Sequence, residues 1–211
     1  MMAAQAAALL SLLMLAPAAP ASPPAPDCRW CPDTVELAVD AAALKLAQGK
    51  PGAIGASLTG GFDGLRLGLS WLSLGVIDDP HASTEWTDST QRWALRVGLR
   101  NEVEPEFFVD LDADLGVRVW QGCVKQGDGT LLWSSTKYLP DGAVTMTLST
   151  DLGSRFFRWG FGATLGWSGK ASNSMQVPAT AFNPAYQVSG VDGGLYFGGF
   201  MRVAIGKVNR R

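Results

Sequence analysis

Apolar and polar residues alternate along most of this chain with a period of two. Between Phe107 and Trp120 the alternation never slips: Phe107, Val109, Leu111, Ala113, Leu115, Val117 and Val119 fall on one side, Asp110, Asp112, Asp114, Gly116 and Arg118 on the other. Successive side chains of a strand point to opposite faces, so this segment is a strand with one greasy and one charged face. About fourteen residues at roughly 3.3 Å each reach on the order of 45 Å, enough to cross bilayer hydrocarbon even at a tilt of about 40°. Soluble strands rarely need that length.

The same parity count predicts eight strands: 35–43, 54–59, 65–76, 92–100, 107–120, 144–149, 157–168 and 195–206. In the third, Leu65, Leu67, Leu69 and Trp71 give way to Leu72, Leu74 and Val76 in the opposite phase, which one β-bulge would produce. Tight turns at 60–64, 101–105 and 151–154 alternate with the long polar loops 78–90, 121–142 and 169–190 and a shorter one near Gly49. Gly127-Asp128-Gly129 is a hairpin signal, so the strands around it are expected to protrude beyond the membrane as a ribbon. An even count returns both termini to one side, together with the tight turns. The expected architecture is an all-β, eight-stranded antiparallel up-and-down transmembrane β-barrel over 33–207.

Composition sharpens this. Charged residues make up 17% of the 211, against roughly a quarter in soluble globular proteins. Beyond the amino terminus no run of eighteen apolar residues exists, which excludes a helical membrane bundle and leaves an alternating barrel open. The net charge of -2 offers no basic field for nucleic acid.

The polar face separates a membrane barrel from a soluble one. A lipocalin-like barrel would crowd its wet face with Lys, Glu and Thr, but the last two strands set mostly Gly, Ser, Thr and Ala there. Small residues suit the cramped lumen of eight strands, which side chains fill. The charges on that face are Glu36, Asp40, Asp110, Asp112 and Asp114 against Arg66, Arg92, Arg96, Arg100, Arg118, Arg158 and Arg202. They are expected to pair across the interior, because burying a lone charge costs several kcal/mol. The aspartate row is not a calcium site: alternate carboxylates along a strand lie almost 7 Å apart, roughly two rises, and cannot jointly wrap one ion. Neither metal nor cofactor is expected. Trp71, Trp93, Trp120, Trp159, Trp167 and Tyr138 lie toward strand ends, where amphipathic rings favour the headgroup layer.

In this architecture the chain resembles the small eight-stranded bacterial outer-membrane proteins of the OmpA/OmpX type, over roughly Asp33 to Lys207. The resemblance implies an outer-membrane location with termini in the periplasm. It also implies outer-membrane lipid, lipopolysaccharide and the assembly machinery as partners. Tyr196-x-Gly198-x-x-Met201-x-Val203 is similar to the targeting pattern of such last strands, although the chain continues through a tail at 208–211.

The leading functional reading is non-enzymatic: an envelope-stabilising barrel, or one binding partners through the loops 78–90, 121–142 and 169–190. Two other classes compete with it. One is a secreted, soluble lipocalin-like ligand binder. The other is a lipid A-modifying outer-membrane hydrolase, since His81-Ala82-Ser83 is similar to the His-x-Ser pair of the lipid A deacylase family, with Glu85 or Glu36 to orient the imidazole. Against it, Asp78-Asp79-Pro80 before the pair and Thr84 to Asp88 after it mark a polar loop.

Met1 to Ala16 is Ala/Leu-rich with an apolar core, Ala6 to Leu15, too short to span a bilayer, and Ala19-Pro20-Ala21 has the small-x-small form of a cleavage site. Residues 1–21 read as a signal peptide and 22–32 as a Pro-rich periplasmic linker. Cys28 and Cys31 there form a local disulfide or stay idle: a redox CxxC would open a helix, and haem attachment would need His where Pro32 stands. Cys123 is left without an intrachain partner. Mass spectrometry of the exported protein should find an amino terminus at Ser22; a chain retaining Met1 would contradict cleavage.

Overall fold

The structure is a computed structural model, described over residues 32–46, 52–62, 64–78, 86–126, 129–152, 156–179 and 184–208. The expected signal peptide, all of the linker but Pro32, and residues 209–211 lie outside these. The described strands are β1 (Thr34–Lys45), β2 (Gly52–Phe62), β3 (Leu65–Asp78), β4 (Trp86–Glu104), β5 (Phe107–Lys125), β6 (Leu131–Trp133), β7 (Lys137–Asp151), β8 (Phe157–Val177) and β9 (Tyr186–Val208). Each pairs antiparallel with its neighbours in the order β1-β2-β3-β4-β5-β7-β8-β9, and β9 returns to β1. The ring has eight staves. The short β6 pairs with the tip of β5, Cys123–Lys125, and leads into β7. Closure leaves no sheet edge inside the bilayer, where an unpaired backbone group has no water to bond.

Inside and outside follow the parity of the sequence. Leu58, Leu69, Leu95, Leu115, Phe161, Phe197 and Met201 stand exposed on the outer wall, while Glu36, Arg66, Arg96, Asp110, Asp112, Asp114 and Arg202 are buried in the lumen. This is the reverse of a lipocalin. The outward apolar run on β8, Phe157 to Trp167, covers eleven residues, or about 28 Å of membrane at a 40° tilt. The three tight turns and the paired ends Thr34–Val208 lie at one end of the barrel. Two turns use the left-handed region: Gly64 with φ 85° and, unusually for a residue with a side chain, Glu106 with φ 71°.

At the other end the strands run on. Most of the residues expected in the loops 78–90, 121–142 and 169–190 are strand: β4 begins at Trp86, β5 reaches Lys125, β7 starts at Lys137, and β8 and β9 extend to Val177 and from Tyr186. Around the Gly127 to Gly129 signal, β5 and β6 do form a protruding hairpin. These extensions escaped the count because they are rich in small and polar residues, and on β8 inside and outside exchange. Above Trp167, Lys170, Ser172, Ser174 and Gln176 point outward, while Ala171, Met175 and Val177 turn inward. The switch is a bulge between Ser168 and Ala171, facing Gly193 and Gly194 at φ 109° and 107°. Side-chained residues seldom adopt that conformation, and a bulge re-aims every residue beyond it. Apolar-out becomes polar-out where lipid gives way to water.

The extensions rise on one side only. Among the described residues β7 pairs with β8 no higher than Asp141–Ser168, and β9 with β1 no higher than Lys45–Phe197. Beyond those rungs the β8–β9 ribbon faces the β4–β5–β6 sheet across a second apolar core of Trp120, Val124, Leu139, Val177 and Val188.

Two further expectations are corrected. The register of β3 is unbroken from Leu65 to Leu74, and its irregularity falls between Leu74 and Ile77. Leu72 and Leu74 therefore point into the lumen, where they join Leu44, Leu46, Ala53, Ala143 and Tyr196. The upper lumen is shut off from water, and aliphatic side chains fill such space without needing partners. Trp120 is also inside, 0% exposed, with its indole N–H donating to Asp88 at 2.7 Å. It shares the parity of the aspartate row. Trp93, Trp159, Trp167 and Tyr138 do face outward, and Trp71 packs on Trp93 at 6.2 Å between ring centroids.

An arginine replacing Met201 on the outer wall of β9 is expected to cost about 2–4 kcal/mol, as charge in bilayer hydrocarbon does. Ser174→Arg, above the bulge, should change stability by less than about 0.5 kcal/mol. Urea unfolding in lipid vesicles measures both, and equal costs would contradict the inversion.

Candidate functional site

The lumen gathers the chain's buried chemistry. At the end with the termini, Glu36 of β1 accepts hydrogen bonds from Arg66 at 3.1 Å, Arg100 at 3.0 Å and Arg158 at 3.1 Å, so one carboxylate ties together β1, β3, β4 and β8. Arg100 also grips Asp110 through two bonds of 2.7 Å, and Arg158 reaches Asp151 at 2.9 Å. Phe108 packs beneath this layer, 3.9 Å from the Arg158 guanidinium.

Higher up, Arg66 spans to Asp110 at 2.8 Å and Asp112 at 3.0 Å. Arg96 holds Asp114 by two bonds of 2.8 Å, and Arg202 holds Asp40 by bonds of 2.7 and 2.9 Å. Paired, two-bond contacts of this kind are the strong form of the arginine–carboxylate interaction. Arg92 bonds Asp114 at 3.1 Å and also Asp141. Asp141 further accepts from Arg118 and from the Tyr196 hydroxyl at 2.8 Å, and Arg118 continues to Asp192 at 3.3 Å.

All of the lumen charges singled out in the sequence, Glu36, Asp40, Arg66, Arg96, Asp110, Asp112, Asp114, Arg118, Arg158 and Arg202, stand in this one network, with Arg92 and Arg100. Sequence reasoning missed Asp141, Asp151, Asp192 and Tyr196. Counting back in twos from Thr145 reaches Asp141, but Pro140-Asp141-Gly142 reads locally as a turn. With these acids included, seven guanidiniums meet eight carboxylates rather than five.

Glycines make room for the lattice. A side chain at Gly98 would strike Asp112, one at Gly162 would strike the Phe200 ring, and one at Gly166 would strike Tyr196. Between the walls lie a cavity of about 40 Å³ at mid-height and one of about 100 Å³ near Asp33, Arg66 and Arg100.

The hydrolase candidates fare differently from the lumen. His81, Ser83 and Glu85 lie outside the described residues. Glu36, the other group considered for orienting the imidazole, sits at the end with the termini, committed to three arginines. The residues flanking the His-x-Ser segment, Asp78 and Trp86, are at the opposite end. The aspartate row is engaged by arginines rather than left open to a cation. Cys28 and Cys31 fall outside the described residues, and Cys123 is buried and unbridged.

No protein-family model matches the chain, and no curated protein does. Solved structures do resemble it. Neisserial surface protein A superposes with a TM-score of 0.53 at 14% identity, over 82% of this chain and 95% of that one. The architecture is that of a small transmembrane β-barrel. Looser matches are Ail, the attachment invasion locus protein of Yersinia pestis, at 0.38 and 10% identity over 80% and 96% of the two chains, and the outer membrane protein AlkL at 0.41 and 8% over 90% and 97%. At such identities the likeness is one of fold, which many functions share.

Glu36→Gln keeps the shape but takes one of their carboxylates from three guanidiniums, which retain Asp110, Asp112 or Asp151, and is expected to cost about 1–3 kcal/mol. The exposed Gln176→Ala should cost almost nothing. Urea unfolding of both variants in vesicles tests whether Glu36 is the keystone of the lower lattice.

Proposed function

We propose that this chain is a non-enzymatic β-barrel of the bacterial outer membrane that serves as a structural anchor in the envelope. The observation that carries this reading is the lumen: matched ion pairs and packed aliphatics occupy it from one end to the other, so the barrel offers neither a water column nor an enclosed apolar ligand chamber. The apolar outer wall takes outer-membrane lipid and lipopolysaccharide as its contacts. The termini belong in the periplasm, because outer-membrane barrels place their short turns there and extend their long connections outward. In this reading residues 1–21 are the export signal, 22–32 a periplasmic linker and the residues after Val208 a tail, one residue shorter than the expected 208–211 because Val208 belongs to β9, and the Tyr196 to Val203 pattern serves the assembly machinery.

The protruding side supports an added, binding role. On β6, Leu131 and Trp133 each remain about half exposed, and Val191 stands out from the β8–β9 ribbon. Exposed apolar side chains above the lipid boundary are what a surface partner would grip. A hydrolytic role draws less support, since Glu36 is unavailable to His81.

Cell fractionation and a gel test the reading together. The protein is expected in the outer-membrane fraction and to run faster on SDS gels before boiling than after. A soluble, heat-insensitive species would overturn it.

A further inference from the structure

The mid-height cavity of about 40 Å³ is bordered by Ser70, Arg92, Arg96, Asp114, Arg202 and Asp40. Each of its carboxylate oxygens already accepts a hydrogen bond. Both oxygens of Asp40 are held by Arg202, and both oxygens of Asp114 by Arg92 and Arg96. Its donors are not all paired: Arg92 Nη2, Arg96 Nη1 and Ser70 Oγ are buried without a hydrogen bond. Arg96 Nη1 stands 3.8 Å from Asp112, out of bonding range, and Asp112 is itself held by Arg66. All three side chains are more than nine-tenths buried. Buried donors without partners are rare in folded proteins and costly to leave unmet.

We propose that this cavity is a binding site for a small monovalent anion of the halide type, gripped by the Arg92 and Arg96 guanidiniums and the Ser70 hydroxyl. Three guanidiniums and two carboxylates border it, so the local charge favours an anion. The acids that tip the whole network toward carboxylate include Asp151 and Asp192, which sit toward the two ends of the lumen. An anion accepts from all three donors at once, whereas one water offers them two lone pairs and brings two hydrogens that need acceptors of their own. The volume exceeds the roughly 10–15 Å³ that admits one water, and is far below what an organic ligand fills. Leu44, Leu72 and Phe200 line the cavity's apolar side and shield the charge they face.

The test uses the full chain folded in detergent. Crystals soaked in bromide should give an anomalous peak beside Arg92, Arg96 and Ser70. At constant ionic strength, replacing gluconate by chloride at about 100 times its Kd should raise the heat-modification midpoint by about 5 °C or more. Ser70→Asp brings its own carboxylate into the cavity and should abolish both effects; Ser70→Ala, which keeps the guanidiniums, should weaken them. Bromide peaks confined to the outer surface (an adventitious ion only), or water alone in the cavity with a chloride-independent midpoint, would overturn the site. Those outcomes leave the anchoring role standing, because the gel and fractionation do not depend on the cavity's occupant.

Discussion

Charge matching inside the lumen is the constraint on which the rest of this barrel depends. The outer wall faces hydrocarbon and the ring is closed, so a charge carried inward finds little solvent and must find a partner. The backbone ladder fixes which strands are neighbours. The ion pairs reach further: Glu36 joins β1 to β3, β4 and β8, and Arg66 bridges from β3 to two aspartates on β5. These cross-lumen ties act where no hydrogen-bonded ladder can. They also impose the small residues opposite them, since Gly98, Gly162 and Gly166 leave the space that Asp112, Phe200 and Tyr196 occupy.

The same wall meets two solvents, and its polarity follows them. Below the β8 bulge, aromatic and aliphatic side chains point out and charges point in; above it, serines and Gln176 point out while Met175 and Val177 pack inward around Trp120. One extra residue on β8, accommodated by two glycines in β9, converts a membrane barrel into a small water-exposed sandwich. The barrel is therefore lopsided, with β4 to β9 rising well past the tops of β1 and β2.

These two features divide the functional possibilities. A filled lumen leaves the lipid-facing wall and the raised ribbon as the barrel's accessible surfaces. The ion pairs tie its strands together, and the mid-height cavity with unmet donors is too small for anything but an ion or water.

Parity found the strands and gathered Asp110, Asp112, Asp114, Arg66, Arg96 and Arg202 on one face, because a period of two is a local property, and the Gly, Ser, Thr and Ala on that face of the last two strands turned it inward. Parity failed where the environment reversed. Ser172 to Gln176 looked like loop because polar side chains there face water instead of a lumen, Asp141 was hidden by its Pro and Gly neighbours, and Trp120 and Leu72 were assigned to lipid although both point inward. Which arginine meets which carboxylate lay beyond the sequence altogether. That choice depends on the relative register of residues up to 162 positions apart, and register is set only when the ring closes and every rung is fixed at once.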